Sequence, residues 1–317
     1  MLLLALCIMG QGCLNRGAKI SEDPMKLGKG VSLSPKSFSE AQFGQFFDIA
    51  LEGGTIVSWV GDANELGNEN DSPRFVVNQA RQRGYTPVVI FSIRDIAEAP
   101  LADRDVFYSQ LEAFAKETKA PYIGIGNEIN YVLKDDPGRL PPFSEMFRAA
   151  QEHIRYVSPD TEVFPVFQYE TMKGLRGGLF GGVNDESKNQ WYMLRAFASA
   201  DLIGFTTYPG LIYKNPEDIP DNYYDDIFQY TGKPIAFTET GWFREGPAEG
   251  WESSVQEQAE FINRWFHLVD AINPEFVIWS FLYDPNIDPP FDTMGLIPDG
   301  QITSEAWDAW RSALLDN

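Results

Sequence analysis

Cysteine and histidine are the residue types that this chain most nearly lacks. Only two of its 317 residues are cysteine, Cys7 and Cys13, and both lie in the first thirteen positions. The rest of the chain therefore has no disulfide, thiol nucleophile or thiolate metal site. The only two histidines, His153 and His267, fall within helical patterns. A His-rich metal centre is excluded and a Ser-His-Asp triad is disfavoured, so we expect a site without metal or cofactor.

Basic residues are also scarce. The chain has 25 Lys and Arg against 46 Asp and Glu, which gives a formal net charge of −21. Binding of nucleic acid requires clusters of Lys and Arg, which are absent, and a polyanionic substrate would be repelled. We therefore expect a neutral ligand. The eight tryptophans and thirteen tyrosines supply flat faces on which such a ligand could stack.

The apolar segment that opens the chain, residues 1–9, is too short to span a bilayer. It is typical of the hydrophobic part of a secretory signal. The following Met9-Gly-Gln-Gly-Cys13 resembles a bacterial lipoprotein signal, in which the cysteine carries the lipid. We expect an exported protein, secreted or held in the cell envelope, with residues 1–20 as signal and tether and membrane contact only through Cys13. The alternative is a disordered N-terminal tail.

Short apolar runs typical of buried strands alternate with amphipathic helical patterns along the rest of the chain. This alternation predicts parallel strands joined by right-handed helical crossovers. Eight repeats within roughly 290 residues favour a single α/β domain, a closed (β/α)8 TIM barrel over residues 25–317. A doubly wound sheet is the alternative, but its glycine-rich dinucleotide turn is missing. The predicted strands are residues 30–34, 55–60, 86–93, 122–126, 162–167, 201–207, 235–238 and 276–281.

Two of these apolar runs end abruptly in a glutamate. The fourth is Tyr122-Ile-Gly-Ile-Gly-Asn127-Glu128, and the seventh is Pro234-Ile-Ala-Phe-Thr-Glu239. A carboxylate just past a buried parallel strand lies where barrels place their chemistry. Two of them on different strands provide the pair of acids that glycoside hydrolysis requires.

The other predicted strand ends are rich in amides, acids and aromatic rings. These groups suit a sugar, whose hydroxyls form hydrogen bonds while its C–H faces pack on Trp and Tyr. A neutral carbohydrate is therefore the expected partner of a chain that we predict to be a monomer. The residues at these ends are Trp59, Asp62, Arg94, Asp95, Asn127, Gln168, Tyr169, Glu170, Tyr208, Trp242, Trp279, Tyr283 and Asp284.

The two glutamate motifs resemble the signature pair of the clan-A retaining glycoside hydrolases. Gly126-Asn127-Glu128 and Glu239-Thr-Gly-Trp242 are similar to segments of the family 17 β-1,3-glucanases and the family 53 endo-β-1,4-galactanases. Tyr208 and Trp279 resemble the tyrosine of strand six and the tryptophan of strand eight in this clan. The galactanase motif of strand three is replaced by Phe91-Ser-Ile-Arg94. The resemblance therefore reaches the clan and not one family.

This resemblance implies a role for each residue of the pair and its surroundings. Glu239 would be the nucleophile and Glu128 the acid/base of a double-displacement mechanism that cleaves β-linked neutral poly- or oligosaccharides. Asn127 would bind the sugar 2-hydroxyl and Tyr208 would orient Glu239. Trp279 would floor the cleaved subsite. The further substrate-binding candidates are Trp59, Arg94 and Trp242.

Two other functions fit the same residues. A transglycosylase would use both glutamates and pass the sugar to a second sugar instead of water. A non-catalytic carbohydrate-binding lipoprotein would share the scaffold, although it would have no need to keep both acids.

Overall fold

The computed structural model describes residues 28–67, 72–93, 101–133 and 136–313, with the side chains of 101 and 102 left out. The segment 1–20, including Cys13, and the candidate Arg94 lie outside the described residues, and their roles remain predictions. No helix within the described ranges is long and apolar enough to cross a membrane.

The strands form one parallel sheet that runs in chain order. Each strand pairs with the next, and the last pairs with the first. The strands are β1 Gly28–Ser32, β2 Ile56–Asp62, β3 Thr86–Ser92, β4 Tyr122–Ile125, β5 in two pieces (Glu162–Phe164 and Val166–Gln168), β6 Ile203–Thr207, β7 Ile235–Thr240 and β8 Phe276–Trp279.

Strand β5 is divided at Pro165, and this division is where the ring closes. Its first piece pairs with β4 and its second piece with β6. Proline has no N–H to donate to a ladder, but the Pro165 carbonyl still accepts a hydrogen bond from Gly204 N at 3.0 Å. The two pieces therefore act as one continuous fifth strand. The prediction of a (β/α)8 barrel is confirmed.

Helices separate the strands in sequence and cover the outside of the sheet. They are α1 Glu40–Gly53, α2 Ser72–Gln82, α3 Leu101–Thr118, α4 Ile129–Val132, α5 Leu140–Val157, α6 Tyr169–Lys173, α7 Ile227–Tyr230, α8 Val255–Asp270 and α9 Glu305–Ser312. Between β5 and β6 the main helical segment is the 3₁₀ helix Trp191–Phe197. Trp191, Leu194 and Phe197 are buried there, and their three-residue spacing puts them on one face of a helix with three residues per turn.

Side chains alternate between two cores, one inside the barrel and one between the sheet and the helices. The inner core includes Ile56, Val88, Ile90, Phe164, Val166, Ala236, Phe276 and Ile278. The outer core is larger and holds Trp59, Trp265, Trp279, Trp307 and Trp310. This alternation decides which side chains at the strand ends can face the mouth of the barrel.

Candidate active site

Glu128 follows β4 in a backbone conformation that is unusual for a residue with a side chain. Its φ is +49° and its ψ is 45°, in the left-handed region, and the preceding Gly126 also has a positive φ of 87°. Only two residues separate Gly126 from Ile129, the start of α4. The Thr206 hydroxyl donates to Glu128 Oε1 at 2.8 Å. The tight turn therefore sends the Glu128 carboxylate across the mouth to β6.

Glu239 reaches the same point from the other side. The pairing of β7 with β6 shifts in register between Phe237 and Glu239, and its pairing with β8 shifts between Phe237 and Thr240. The first shift sets Glu239 opposite Thr206. Irregularities of this kind re-aim side chains and are common next to active sites. Glu128 and Glu239 are both partly exposed. The structure thus brings the two predicted acids together at Thr206, at the carboxyl end of the barrel.

The Glu239 carboxylate receives a hydrogen bond on each oxygen. Asn127 Nδ2 donates to Oε1 at 3.3 Å, and the Tyr208 hydroxyl donates to Oε2 at 2.8 Å. Burial, followed by the charge of Glu239, holds the pKa of Tyr208 well above its usual value, so this hydroxyl keeps its proton. Its oxygen also lies 2.7 Å from Ser280 Oγ. Tyr208 is therefore fixed as a donor to Glu239.

The electrostatics of the pair favour retention of a proton. Burial and, next in size, the charge of Glu128 raise the pKa of Glu239 from 4.5 to about 7, while the hydrogen bonds from Tyr208 and Asn127 act in the opposite direction. Neighbouring carboxylates titrate as a unit, because the charge on one opposes the loss of the proton from the other. Near neutral pH the site therefore supplies one acidic and one ionised carboxyl group, as acid–base chemistry by two carboxylates requires.

Across the described ranges, the side-chain nitrogen of Asn127 is hydrogen-bonded, and its side-chain oxygen is not. Its amide nitrogen is committed to Glu239, whereas its Oδ1 is buried without a hydrogen-bond partner among the described residues. Leaving a buried acceptor unsatisfied costs about 1–3 kcal/mol. A ligand hydroxyl placed beside Asn127 would satisfy it.

The expectation that Trp279 floors the cleaved subsite is wrong. Trp279 is fully buried, its ring packs against Phe261 and Trp310 in the outer core, and its Nε1 donates to the Met294 carbonyl at 2.8 Å. Because Ile278 points into the barrel, its neighbour Trp279 must point out. The inward position at this level belongs to Ser280.

Trp242 is also misplaced for the outer subsite that the sequence suggested. It is fully buried, and its ring stacks on Phe261 at 4.8 Å. Its Nε1 donates to Ser253 Oγ and Glu257 Oε1, both at 3.2 Å. Trp242 therefore packs beneath the rim. Trp59 is 8% exposed and also faces outward, but it lines a cleft that reaches Glu239.

That cleft has a volume of about 1240 Å³. Glu239 and Ser280 line it at the barrel mouth, together with residues that follow β1 and β2. Pockets for small ligands usually measure about 300–1,000 Å³. No group of three or more His, Cys, Asp or Glu in the described ranges is placed to hold a metal ion.

A third acid, Glu170, was predicted at the mouth with the other strand-end groups but lies directly behind the site. Glu170, in α6, has no exposed surface. Its Oε1 accepts hydrogen bonds from the Thr207 hydroxyl at 2.8 Å, the Tyr208 backbone N–H at 3.1 Å and the Tyr223 hydroxyl at 3.0 Å, and its Oε2 accepts one from Gln168 Nε2. The donors converge on one carboxylate and fix the backbone that carries Tyr208.

No protein-family model matches the sequence, and no curated protein matches it significantly. Solved structures do resemble the chain. A family 39 glycoside hydrolase from Bacteroides cellulosilyticus has 16% identity and a TM-score of 0.61 over 90% of this chain and 63% of the other. An exo-β-1,4-mannosidase from Opitutaceae bacterium strain TAV5 has 12% identity and a TM-score of 0.64 over 90% and 58%. The chain thus spans less than two thirds of the length of these two proteins.

The catalytic domain of a family 53 glycoside hydrolase from Ignisphaera aggregans matches in size as well. It has 15% identity and a TM-score of 0.61, over 92% of this chain and 96% of the other. At such low identities the likeness concerns the fold. The chain resembles clan-A glycoside hydrolases in architecture as well as in its two glutamate motifs, and its fold is the TIM barrel that those enzymes use.

Proposed function

We propose that the protein is a retaining glycoside hydrolase that cleaves β-linked neutral poly- or oligosaccharides. The observation that carries this proposal is the convergence of Glu128 and Glu239 on Thr206 at the carboxyl end of the barrel. A pair of partly exposed carboxyl groups that together keep a proton near neutral pH matches what the reaction needs.

Each acid has a separate task in the proposed mechanism. The Glu239 carboxylate attacks the anomeric carbon, and the bond from that carbon to the leaving oxygen breaks as Glu128 gives the oxygen its proton. A water molecule then attacks the glycosyl ester, and Glu128 takes a proton from that water. Glu239 leaves as the carboxylate, so the anomeric configuration is retained after two inversions.

The neighbours of the pair support this division of tasks. The hydrogen bonds from Tyr208 and Asn127 stabilise the ionised form of Glu239 and hold its carboxylate in position. The open Oδ1 of Asn127 is suited to the sugar 2-hydroxyl, a contact that strengthens in the transition state of glycoside hydrolysis. The strongly negative chain favours a neutral sugar over an anionic one.

A substrate screen with product analysis tests the proposal. The purified protein would be incubated with β-1,3-, β-1,4- and mixed-linkage glucans, galactan, mannan and aryl β-glycosides, without added metal. We expect release of sugar from at least one substrate, and proton NMR of the first product should show the β-anomer. An α-anomer as first product would contradict the retaining mechanism. Binding without turnover on any substrate would favour the carbohydrate-binding alternative.

Export belongs to the same proposal, because polysaccharides are met outside the cell. Mass spectrometry of the mature N-terminus from the native host tests it. We expect cleavage before Cys13 with a lipid on that residue. An unprocessed Met1 would contradict export, and cleavage elsewhere would contradict lipidation.

A further inference from the structure

Three phenylalanines form a partly exposed surface on the wall of the cleft that reaches Glu239. Phe38 is 79% exposed, Phe75 is 53% exposed, and Phe43 lies between them. The ring centroids of Phe38 and Phe43 are 6.3 Å apart, and those of Phe43 and Phe75 are 5.4 Å apart. We call Phe38, Phe43 and Phe75 the aromatic shelf. Isolated exposed apolar side chains are ordinary, but these three touch one another and line one concavity.

The cleft follows neighbouring strands away from the acids. Its lining passes from Glu239 in β7 to Ser280 after β8, then to Ser32 in β1 and Trp59 in β2, and finally to the aromatic shelf, which lies just before α1 and on α1 and α2. The volume of about 1240 Å³ exceeds that of most small-ligand pockets. A chain bound at Glu239 therefore has a continuous path to the shelf.

Trp59 lines the cleft between the aromatic shelf and the mouth of the barrel. Its ring lies over the backbone at Gly61, where a Cβ atom would come within 2.2 Å of the ring. Its other side packs edge-on against Phe91, with centroids 5.7 Å apart. Glycine at this position thus allows an indole to lie along the wall of the cleft between the acids and the shelf.

The polar groups of the cleft indicate what kind of chain could occupy it. The carboxylates of Glu40 and Glu65, the guanidinium groups of Arg74 and Arg83 and the amide of Gln79 line the cleft beside the aromatic rings. Aromatic faces interspersed with acids and amides suit a sugar, whose C–H faces pack on rings and whose hydroxyls donate to carboxylates. An apolar protein segment would leave these acids desolvated and unpaired, which is costly.

We propose that the aromatic shelf is a remote subsite for the same neutral carbohydrate chain, so that the enzyme favours long chains over single-sugar glycosides. This inference rests on the proposed function. It assigns the substrate class as polymeric and places its outer sugar units on the exposed rings of Phe38 and Phe75, which the buried ring of Phe43 supports, with Trp59 along the path.

The test compares long and short substrates in the double variant Phe38→Ala/Phe75→Ala. For the polysaccharide that the wild type cleaves best, we expect KM to rise about tenfold, the loss expected from removing ring contacts worth about 1.4 kcal/mol. For an aryl β-glycoside, which is too short to reach the shelf, kcat/KM should not change. Phe228→Ala is the matched control, because Phe228 is 56% exposed and does not line the cleft.

A binding measurement keeps this inference separate from the proposed function. The inactive variant Glu239→Gln, with and without the two shelf substitutions, would be run through native gels that contain soluble β-glucan, galactan or mannan. We expect the shelf substitutions to abolish retardation, and Phe38→Tyr/Phe75→Tyr, which keeps both rings, to preserve it. If no glycan is cleaved but the gels show this difference, the catalytic proposal fails and the sugar-binding shelf stands.

Two results would overturn the remote subsite. The first is equal retardation with and without the shelf, combined with an unchanged KM for the polysaccharide. The second is an equal loss of activity on long and short substrates in a variant with an unchanged melting temperature, since the shelf would then act on the acids themselves.

Discussion

Glu170 and Glu239 are two acids in similar surroundings with opposite uses. Burial is the largest cause of a raised pKa in both, and neither forms an ion pair with Lys or Arg in the part of the chain that the structure describes. Glu170 has no exposed surface and holds donors on both oxygens. Glu239 is partly exposed, accepts two hydrogen bonds, faces the charge of Glu128 and opens on a cleft.

The difference shows that burial of an acid does not by itself make a reactive site. The donors around Glu170 satisfy it and leave no approach for a substrate. Glu239 keeps an open side and a neighbouring like charge, which are the two conditions for proton exchange and attack. The two acids are also linked, because Glu170 accepts the backbone N–H of Tyr208 and Tyr208 donates its hydroxyl to Glu239. One acid positions the residue that orients the other.

Replacing Glu239, the proposed nucleophile, should have the largest effect on activity. Glu239→Ala removes the nucleophile, so we expect kcat on every substrate to fall by at least about 10⁴-fold, with the melting temperature kept or raised. Steady-state kinetics on an aryl β-glycoside and on the best polysaccharide would measure this.

Azide separates the roles of the two glutamates. In Glu128→Ala the first step on an activated aryl glycoside should persist, and azide, which needs no general base, should speed the second step and give a β-glycosyl azide. In Glu239→Ala azide should instead give the α-glycosyl azide. The reverse pattern would mean that the roles are exchanged.

Replacing Glu170, the buried acid, should mainly lower the stability of the protein. Glu170→Gln keeps the shape but turns one acceptor into a donor that faces Gln168 Nε2, so we expect a loss of about 2 kcal/mol in the free energy of unfolding. Because the two facing amide groups repel and displace the side-chain oxygen that accepts the Tyr208 N–H, kcat should fall about tenfold while KM changes little. Urea unfolding and kinetics on the same preparation would measure both.

A paired exchange provides the control for Glu170. In Gln168→Glu/Glu170→Gln, the new glutamate can accept hydrogen bonds from the Thr171 N–H, which Gln168 Oε1 now accepts at 2.6 Å, and from the new amide. We expect this double variant to recover at least half of both losses. If stability returns and kcat does not, Glu170 acts on the reaction by some route other than the position of Tyr208.

The sequence allowed the two candidate acids at the barrel mouth to be located but not the orientation of the side chains around them. A glutamate at the end of an apolar run can be recognised directly in the sequence. The carboxyl ends of parallel strands all lie at one edge of the sheet. Strands buried on both faces have apolar residues at every position, so no alternation tells inward from outward. Trp279 was therefore placed in the mouth, where Ser280 belongs, and Trp242 was placed at a subsite when it packs in the core.

Backbone irregularities were equally invisible. The proline that divides β5 is visible in the sequence, but the shift of register between Phe237 and Glu239 that sets Glu239 opposite Thr206 depends on pairing between distant segments. Glu170 was predicted at the mouth for the same reason, because its donors Thr207, Tyr208 and Tyr223 come from later parts of the chain.

The pH dependence of stability should distinguish the two acids by a smaller effect. The folded-state pKa of Glu239, about 7 against an ordinary 4.5, means that the folded protein holds this proton more tightly than the unfolded chain. Its contribution is therefore fully present below about pH 4.5 and is lost as pH rises through about 7. Urea unfolding at several pH values should show stability falling across this window, and kcat/KM should fall above about pH 7 as the pair loses its proton.

The control is Glu239→Gln, which should flatten this part of the curve. Glu128→Gln should flatten it partly, because removing the neighbouring charge lowers the pKa of Glu239. An unchanged slope in both variants would mean that the pH dependence comes from other groups, Glu170 among them, whose pKa is also raised by burial.

The smallest expected effect concerns the backbone of Glu128, where a substitution that removes the proposed acid/base should increase stability. A residue with a Cβ atom held at φ +49° stores roughly 1–2 kcal/mol of strain, which glycine avoids. Glycine also loses more chain entropy on folding, at about 0.5–1 kcal/mol, so the net gain is smaller. We expect the free energy of unfolding, measured in urea, to be about 0.5 kcal/mol higher for Glu128→Gly than for Glu128→Ala. Both variants should lack acid/base activity. Alanine removes the same carboxylate and keeps the strain, so the comparison isolates the backbone. A Glu128→Gly variant that is about 0.5–1 kcal/mol less stable than Glu128→Ala would mean that the turn after β4 is relaxed, and that the aim of Glu128 across the mouth comes from its hydrogen bond with Thr206 and not from a strained backbone.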